Sequence, residues 1–123
     1  MRERLFLKQL EPEAMPKIIR TRHFPMRPFY GISLFGLLIF RSDARLAESD
    51  IRHETIHYLQ QREWLFVGFF ILYMLEFVWH LIRLRRWEAA YRSVSFEREA
   101  YRHERDAGYL RHRHHYANFR RQP

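Results

Sequence analysis

Residues 53–57 read His-Glu-Thr-Ile-His. On a helix, His53 and His57 lie one turn apart on one face, so both imidazoles can reach a single metal ion. Glu54 then stands beside that ion, placed to take a proton from a water that the metal activates. Neutral imidazole combined with carboxylate suits Zn²⁺. The chain contains no Cys. Any metal must therefore be held by His and carboxylate, and a disulfide scaffold, an iron–sulfur centre and a thiolate zinc site are all excluded.

A working zinc site needs a third protein ligand and an open position for water. The remaining histidines are His23, His80, His103, His112, His114 and His115. A third His six residues after His57 is ruled out, because Glu63 stands there and Gln60 occupies the place of the accompanying Gly. The better candidate segment lies about 40 residues on, at Ser95-Phe96-Glu97-Arg98-Glu99-Ala100-Tyr101.

Together these two motifs make the chain resemble a minimal gluzincin, the zinc peptidase clan with HExxH on one helix and a Glu ligand on a later one. The uncharged Thr55, Ile56, Tyr58 and Leu59 around the ligands fit that pattern, whereas Asp50 departs from it. Many members write the second motif E-x-x-A-D. Glu97 to Ala100 matches it, with Tyr101 in place of Asp. Another branch writes E-A-x-x-D, which Glu99 to Arg102 fits, with His103 in place of Asp. The resemblance thus implies a metal set of His53, His57 and Glu97, with Glu99 as the alternative third ligand and Glu54 as general base. The Asp that would orient a ligand His is missing in either register, leaving Tyr101 or His103 as substitutes. Tyr91, Tyr101 or His103 would stabilise the oxyanion. The implied function is a zinc-dependent metallopeptidase-like hydrolase acting on a peptide or protein substrate, with an edge strand beside the active helix that pairs with substrate backbone.

The elements that must position these residues can be read from the pattern. Residues 29–40 are apolar and aromatic, with Gly31 and Gly36 as punctuation, and are too short for a bilayer span. They predict a strand, or a hairpin folded at Phe35-Gly36. Ser49 or Asp50 is the expected N-cap of a helix running from Ile51 to about residue 84, with a joint near 61–64. A second helix is expected from Ser95 to about residue 110. The fold class is therefore α+β and mainly helical. Pro12, Pro16, Pro25 and Pro28 suggest an irregular N-terminal segment over 1–28. A single zincin-like domain would occupy 29–110, followed by a basic His-rich tail over 111–123.

Residues 64–82 are the most apolar stretch, interrupted by Glu76 and His80 and followed by Arg83, Arg85 and Arg86. They read equally as a membrane span or a buried helix. A single crossing would leave Glu97 on the opposite side from His53 and His57, roughly 30 Å away. A non-catalytic basic protein with one crossing helix is thus the alternative to the metal site. If the metal site exists, the helix is buried, lies on a membrane surface or forms a homo-oligomer interface.

The formal net charge is +8, from 22 Lys+Arg against 14 Asp+Glu. Acids are interleaved with arginines over residues 48–106, so the excess sits in residues 17–27 and 111–121. With no recognised module, sequence-specific nucleic-acid binding is not expected, and contact with anionic lipid suits the chain better. The 17% aromatic content excludes a disordered chain. The first twenty residues lack a signal-peptide pattern, which suggests a cytoplasmic protein, free or membrane-associated.

Overall fold

The computed structural model describes residues 16–25, 29–43 and 45–119. The expectations for Pro12, Arg27, Pro28, Arg120 and Arg121 lie outside the described residues. The fold is α+β and mainly helical. Strands β1 (Lys17–Thr21), β2 (Gly31–Leu34) and β3 (Leu37–Arg41) are followed by helices α1 (Glu48–Glu63), α2 (Val67–Leu84), α3 (Trp87–Ser93), α4 (Ser95–His103) and α5 (Tyr109–His112). A 3-10 turn covers Ala117–Phe119.

The sheet order is β1-β3-β2, with β1 parallel and β2 antiparallel to β3. The hairpin turns at Phe35-Gly36, where both residues have positive φ (50° and 91°). That is the backbone a two-residue turn demands to match strand twist. Gly31 pairs with Phe40 across the hairpin, and a Cβ at Gly31 would lie 2.5 Å from the Phe40 ring. Glycine here lets the buried Phe40 side chain lie flat under β2. β1 joins the sheet although it falls in the segment read as irregular. Ile18 and Ile19 alternate faces against Leu38 and Ile39, and pairing to β3 overrides the flanking prolines.

Leu38 and Phe40 pack with Ile51 and Tyr58 of α1 into one core cluster. Phe69, Val94 and Phe96 form a second, where α2 meets α4. α1 lies between the two. It starts at Glu48, three residues before the expected Ile51, because the Asp50 carboxylate reaches back to accept the Ala47 backbone N–H (3.0 Å). The cap is therefore at Ala47, rather than Ser49 or Asp50. The predicted joint falls at Leu65-Phe66, both at positive φ. Gly68, one residue into α2, plays no part in that break.

The chain reverses at Arg85, whose left-handed backbone (φ 56°) closes α2 through a bond to the Leu81 carbonyl. Helix α3 lies between the two expected helices. It carries the chain back alongside α2, so that Ser95 meets Glu76: the Ser95 N–H and hydroxyl donate to the two Glu76 carboxylate oxygens at 2.8 and 2.7 Å. Glu76 thus caps α4 from a neighbouring helix, placing a negative charge at its positive end. The predicted single helix from Ser95 to about 110 breaks after His103, in a turn where the Asp106 carboxylate accepts the Gly108 N–H. In the segment read as a basic tail, Arg113 and Asn118 pack into the domain, while His114, His115 and Tyr116 are exposed. Arg113 donates to both Glu63 oxygens (2.7 and 2.9 Å) and to Glu99 (2.6 Å), with all three side chains under a tenth exposed. Asn118 bonds the Ser95 hydroxyl (3.1 Å). Breaking such a buried pair generally costs about 3–5 kcal/mol, so these contacts hold α1 and α4 in register.

Candidate metal centre

His53 and His57 project from one face of α1 toward Glu97 in the first turn of α4, and all three are buried. The Glu97 Oε1 atom is 3.2 Å from His53 Nε2 and 3.0 Å from His57 Nε2, and the two Nε2 atoms are 3.2 Å apart. Glu99, the alternative third ligand, points elsewhere. Residues 97 and 99 are 200° apart on a helix, and the Glu99 carboxylate is engaged by Gln60, Tyr109 and Arg113.

The protons on the imidazoles follow from their outer partners. Gln60 Nε2 donates to the Phe96 carbonyl (3.0 Å) and to Glu99 (2.9 Å). Its amide oxygen therefore faces His57 Nδ1 at 2.8 Å, which must be the N–H. His53 Nδ1 lies 2.9 Å from a Glu104 carboxylate oxygen and donates to it. With both Nδ1 atoms protonated, both Nε2 lone pairs and Glu97 Oε1 converge on one point. Three acceptors at that spacing need a cation between them, a proton or a metal ion. The other Glu97 oxygen accepts from the Tyr73 hydroxyl of α2 (2.7 Å).

The electrostatics carry the same sign. Burial works against a charge on His53, yet the Glu104 and Glu97 carboxylates outweigh it and push its pKa up to about 10. His57 is raised by the same contest, with Glu97 prevailing over burial. Burial would raise Glu97, but the His57 and His53 imidazoles hold it well below the usual carboxylate range.

Glu54 is not one of the three converging groups and borders two adjoining cavities, beside His57 and Glu97 in one and His53 in the other. Withdrawal from solvent pushes its pKa up. The first cavity, about 350 Å³, is mostly apolar, with Glu54, His57 and Glu97 in its wall together with Phe29, Phe70 and Phe77. The second, about 440 Å³, holds His53, Glu54 and Glu104 together with Asp43, Arg45 and Asp50. Tyr91 borders both. Burial, with Glu97 nearby, raises its pKa, so its hydroxyl stays protonated as a donor.

The orienting residues differ from those expected. Tyr101 packs its ring edge-on against His53 (centroids 4.5 Å apart) and gives its hydroxyl to Tyr91. His103 stacks on Tyr109 (3.8 Å) and borders neither cavity. Glu104 and Gln60 fill the orienting places instead. Both were signalled by spacing: Glu104 is seven residues after Glu97, two turns along one face, and Gln60 is three after His57. Arg52 fixes the Glu104 backbone through its carbonyl (2.7 Å). Tyr73 had no signal, since it is one aromatic residue among many in the apolar stretch. Truncating Glu104 to Ala is expected to weaken divalent-metal affinity by about 10–100-fold, measured by competition with a chromophoric chelator.

No protein-family model, curated protein or solved structure matches this chain.

Proposed function

We propose that the chain is a zinc-dependent, metallopeptidase-like hydrolase in which His53, His57 and Glu97 hold Zn²⁺ and Glu54 is the general base. The observation that carries this reading is the buried triangle of three inward-facing acceptors, 3.0–3.2 Å apart, on outer partners that fix their tautomers. Ligands of a tetrahedral zinc at bond lengths of about 2.0–2.1 Å stand roughly 3.3 Å from one another. The donor set, two imidazoles and one carboxylate with no thiolate, suits that ion.

When bound, zinc supplies Lewis acidity, polarising a carbonyl and lowering the pKa of water toward about 7. The chain supplies the rest. Glu54 takes the proton of the attacking water and returns it to the departing amine. A raised pKa brings its proton affinity closer to that task. Tyr91, between the two cavities, is the donor best placed for the developing oxyanion. An extended peptide would run along the outer edge of β2 past Gly31. The aromatic cavity favours a bulky apolar side chain beside the scissile bond.

Metal analysis of untagged protein tests this. Cutting away the His-rich tail would remove Arg113 and Asn118, so His112, His114 and His115 should be replaced by Gln instead. That variant is expected to hold about one zinc per chain after dialysis. A zinc-free, folded protein that takes up none on titration would refute the reading.

A further inference from the structure

α2 is long and apolar enough to cross a bilayer (mean hydropathy 1.6), and only 6% of it is buried. Every exposed position on it before Arg83 is apolar. Ile71, Met74, Leu75, Val78 and Ile82 form one stripe at helical spacing, with Trp79 at its margin. Leu75 and Ile82 are 64% and 67% exposed. A folded domain does not normally show water a face of this kind.

The fold around this helix does not suit a single crossing. The chain turns back at Arg85, and α4 rejoins α2 at its middle, where Ser95 is bonded to Glu76 and Glu97 to Tyr73. Both ends of the stretch therefore stay with the domain. At the turn stand Arg83, Arg85 and Arg86, all exposed, next to the exposed Trp87. The only acid on α2 is Glu76, already taken by Ser95. A second copy would cover the stripe but bring to these three guanidiniums no acid from α2, and from the adjoining first turn of α3 only Glu88, which already faces Arg92 (3.9 Å). An anionic lipid surface satisfies both, with acyl chains beneath the stripe and headgroups around the arginines and tryptophans.

We propose that α2 lies in the surface of an anionic bilayer, its Ile71–Ile82 stripe in the acyl boundary and Arg83, Arg85 and Arg86 on the headgroups. This docking stands independently of the metal. One consequence rests on the hydrolase reading: Met74 and Trp87 belong both to the exposed face and to the wall of the apolar cavity. Docking then opens that cavity onto the lipid, so its substrate would be a membrane-associated apolar peptide segment.

Flotation of the full chain with vesicles of phosphatidylcholine, with and without about one-third phosphatidylserine, is the test. Vesicles containing phosphatidylserine should carry the protein upward at least tenfold better. Neutralising the turn (R83S/R85N/R86S) should lower that affinity by on the order of 100-fold, roughly fivefold for each arginine. L75E/I82E should abolish flotation on either vesicle while keeping a cooperative thermal transition. The proposal is overturned if the chain floats with neither vesicle, or floats equally with both. It is also overturned if the chain stays in the vesicles through alkaline carbonate, the mark of a crossing helix. A vesicle-free dimer that L75E/I82E splits, with no flotation, would instead assign the face to a second copy. A failed zinc titration would leave the flotation result standing, and a failed flotation would leave the metal site standing.

Discussion

Replacing Glu54 by Gln is expected to leave about one zinc per chain and to lower peptide hydrolysis by about 10²–10⁴-fold. The measurement is turnover of a quenched-fluorescent peptide pool rich in large apolar residues, alongside metal content of the same preparation. The separation of the two effects follows from geometry. Glu54 is absent from the triangle formed by His53, His57 and Glu97 and instead faces the cavities. Gln keeps the size of the side chain, so the packing of α1 against β2 is undisturbed. What is lost is a group able to take a proton.

The acid limb of the activity profile should reflect the same residue. Burial raises the Glu54 pKa above its ordinary 4.5, so the base form is recovered at a higher pH than for a solvated glutamate. With zinc held saturating at each pH, activity should therefore rise with pH through a midpoint above 4.5 in the wild type. A variant that loses its zinc along with its activity would show that Glu54 holds the ion and would refute its role as base.

Much of the site could be read from spacing, because helical periodicity is local. His53 and His57 share a face for the same reason in any helix, whereas two overlapping motifs leave both Glu97 and Glu99 open as the third ligand, and only the fold, with the two 200° apart on α4, brings Glu97 to the histidines. The hairpin at Phe35-Gly36 and the joint between the two long helices were legible for a similar reason, since turn backbone is written in adjacent residues. What could not be read depends on contacts far apart in sequence. Glu76 caps α4 across 19 residues, and Arg113 joins Glu63 across 50. An arginine in a basic tail and a glutamate in an apolar helix look like solvated charges until the fold brings their partners. The apolar stretch itself shows the limit most clearly. Its composition fits a span and a core helix equally, and only the reversal at Arg85, with α3 returning along it, shows that the chain after it packs back onto the same domain.

His57→Ala is expected to bring zinc content from about one per chain to near zero and to remove the thermal stabilisation that zinc confers. A ligand at about 1,000 times its Kd adds about 4 kcal/mol to the folded state. For a chain of this size that is a rise in Tm on the order of 10 °C or more. The rise should depend on pH in a direction set by the site. In the metal-free protein, the His53 pKa is raised from 6.5 to about 10, so its stabilising contribution is complete below 6.5 and lost as pH climbs toward 10. Glu97 is shifted the opposite way, so its contribution is complete above 4.5 and lost as pH falls below that. These two contributions are therefore complete together between about pH 4.5 and 6.5. Zinc needs both imidazoles neutral and must displace the proton held there, so its affinity climbs over the range where the His53 contribution is lost. Calorimetric scans with and without zinc should accordingly show a small Tm gain at pH 6 and a large one at pH 8, and His57→Ala should show neither. A gain that is the same at both pH values would mean that zinc binds without displacing a proton, and the triangle of His53, His57 and Glu97 would not be its site.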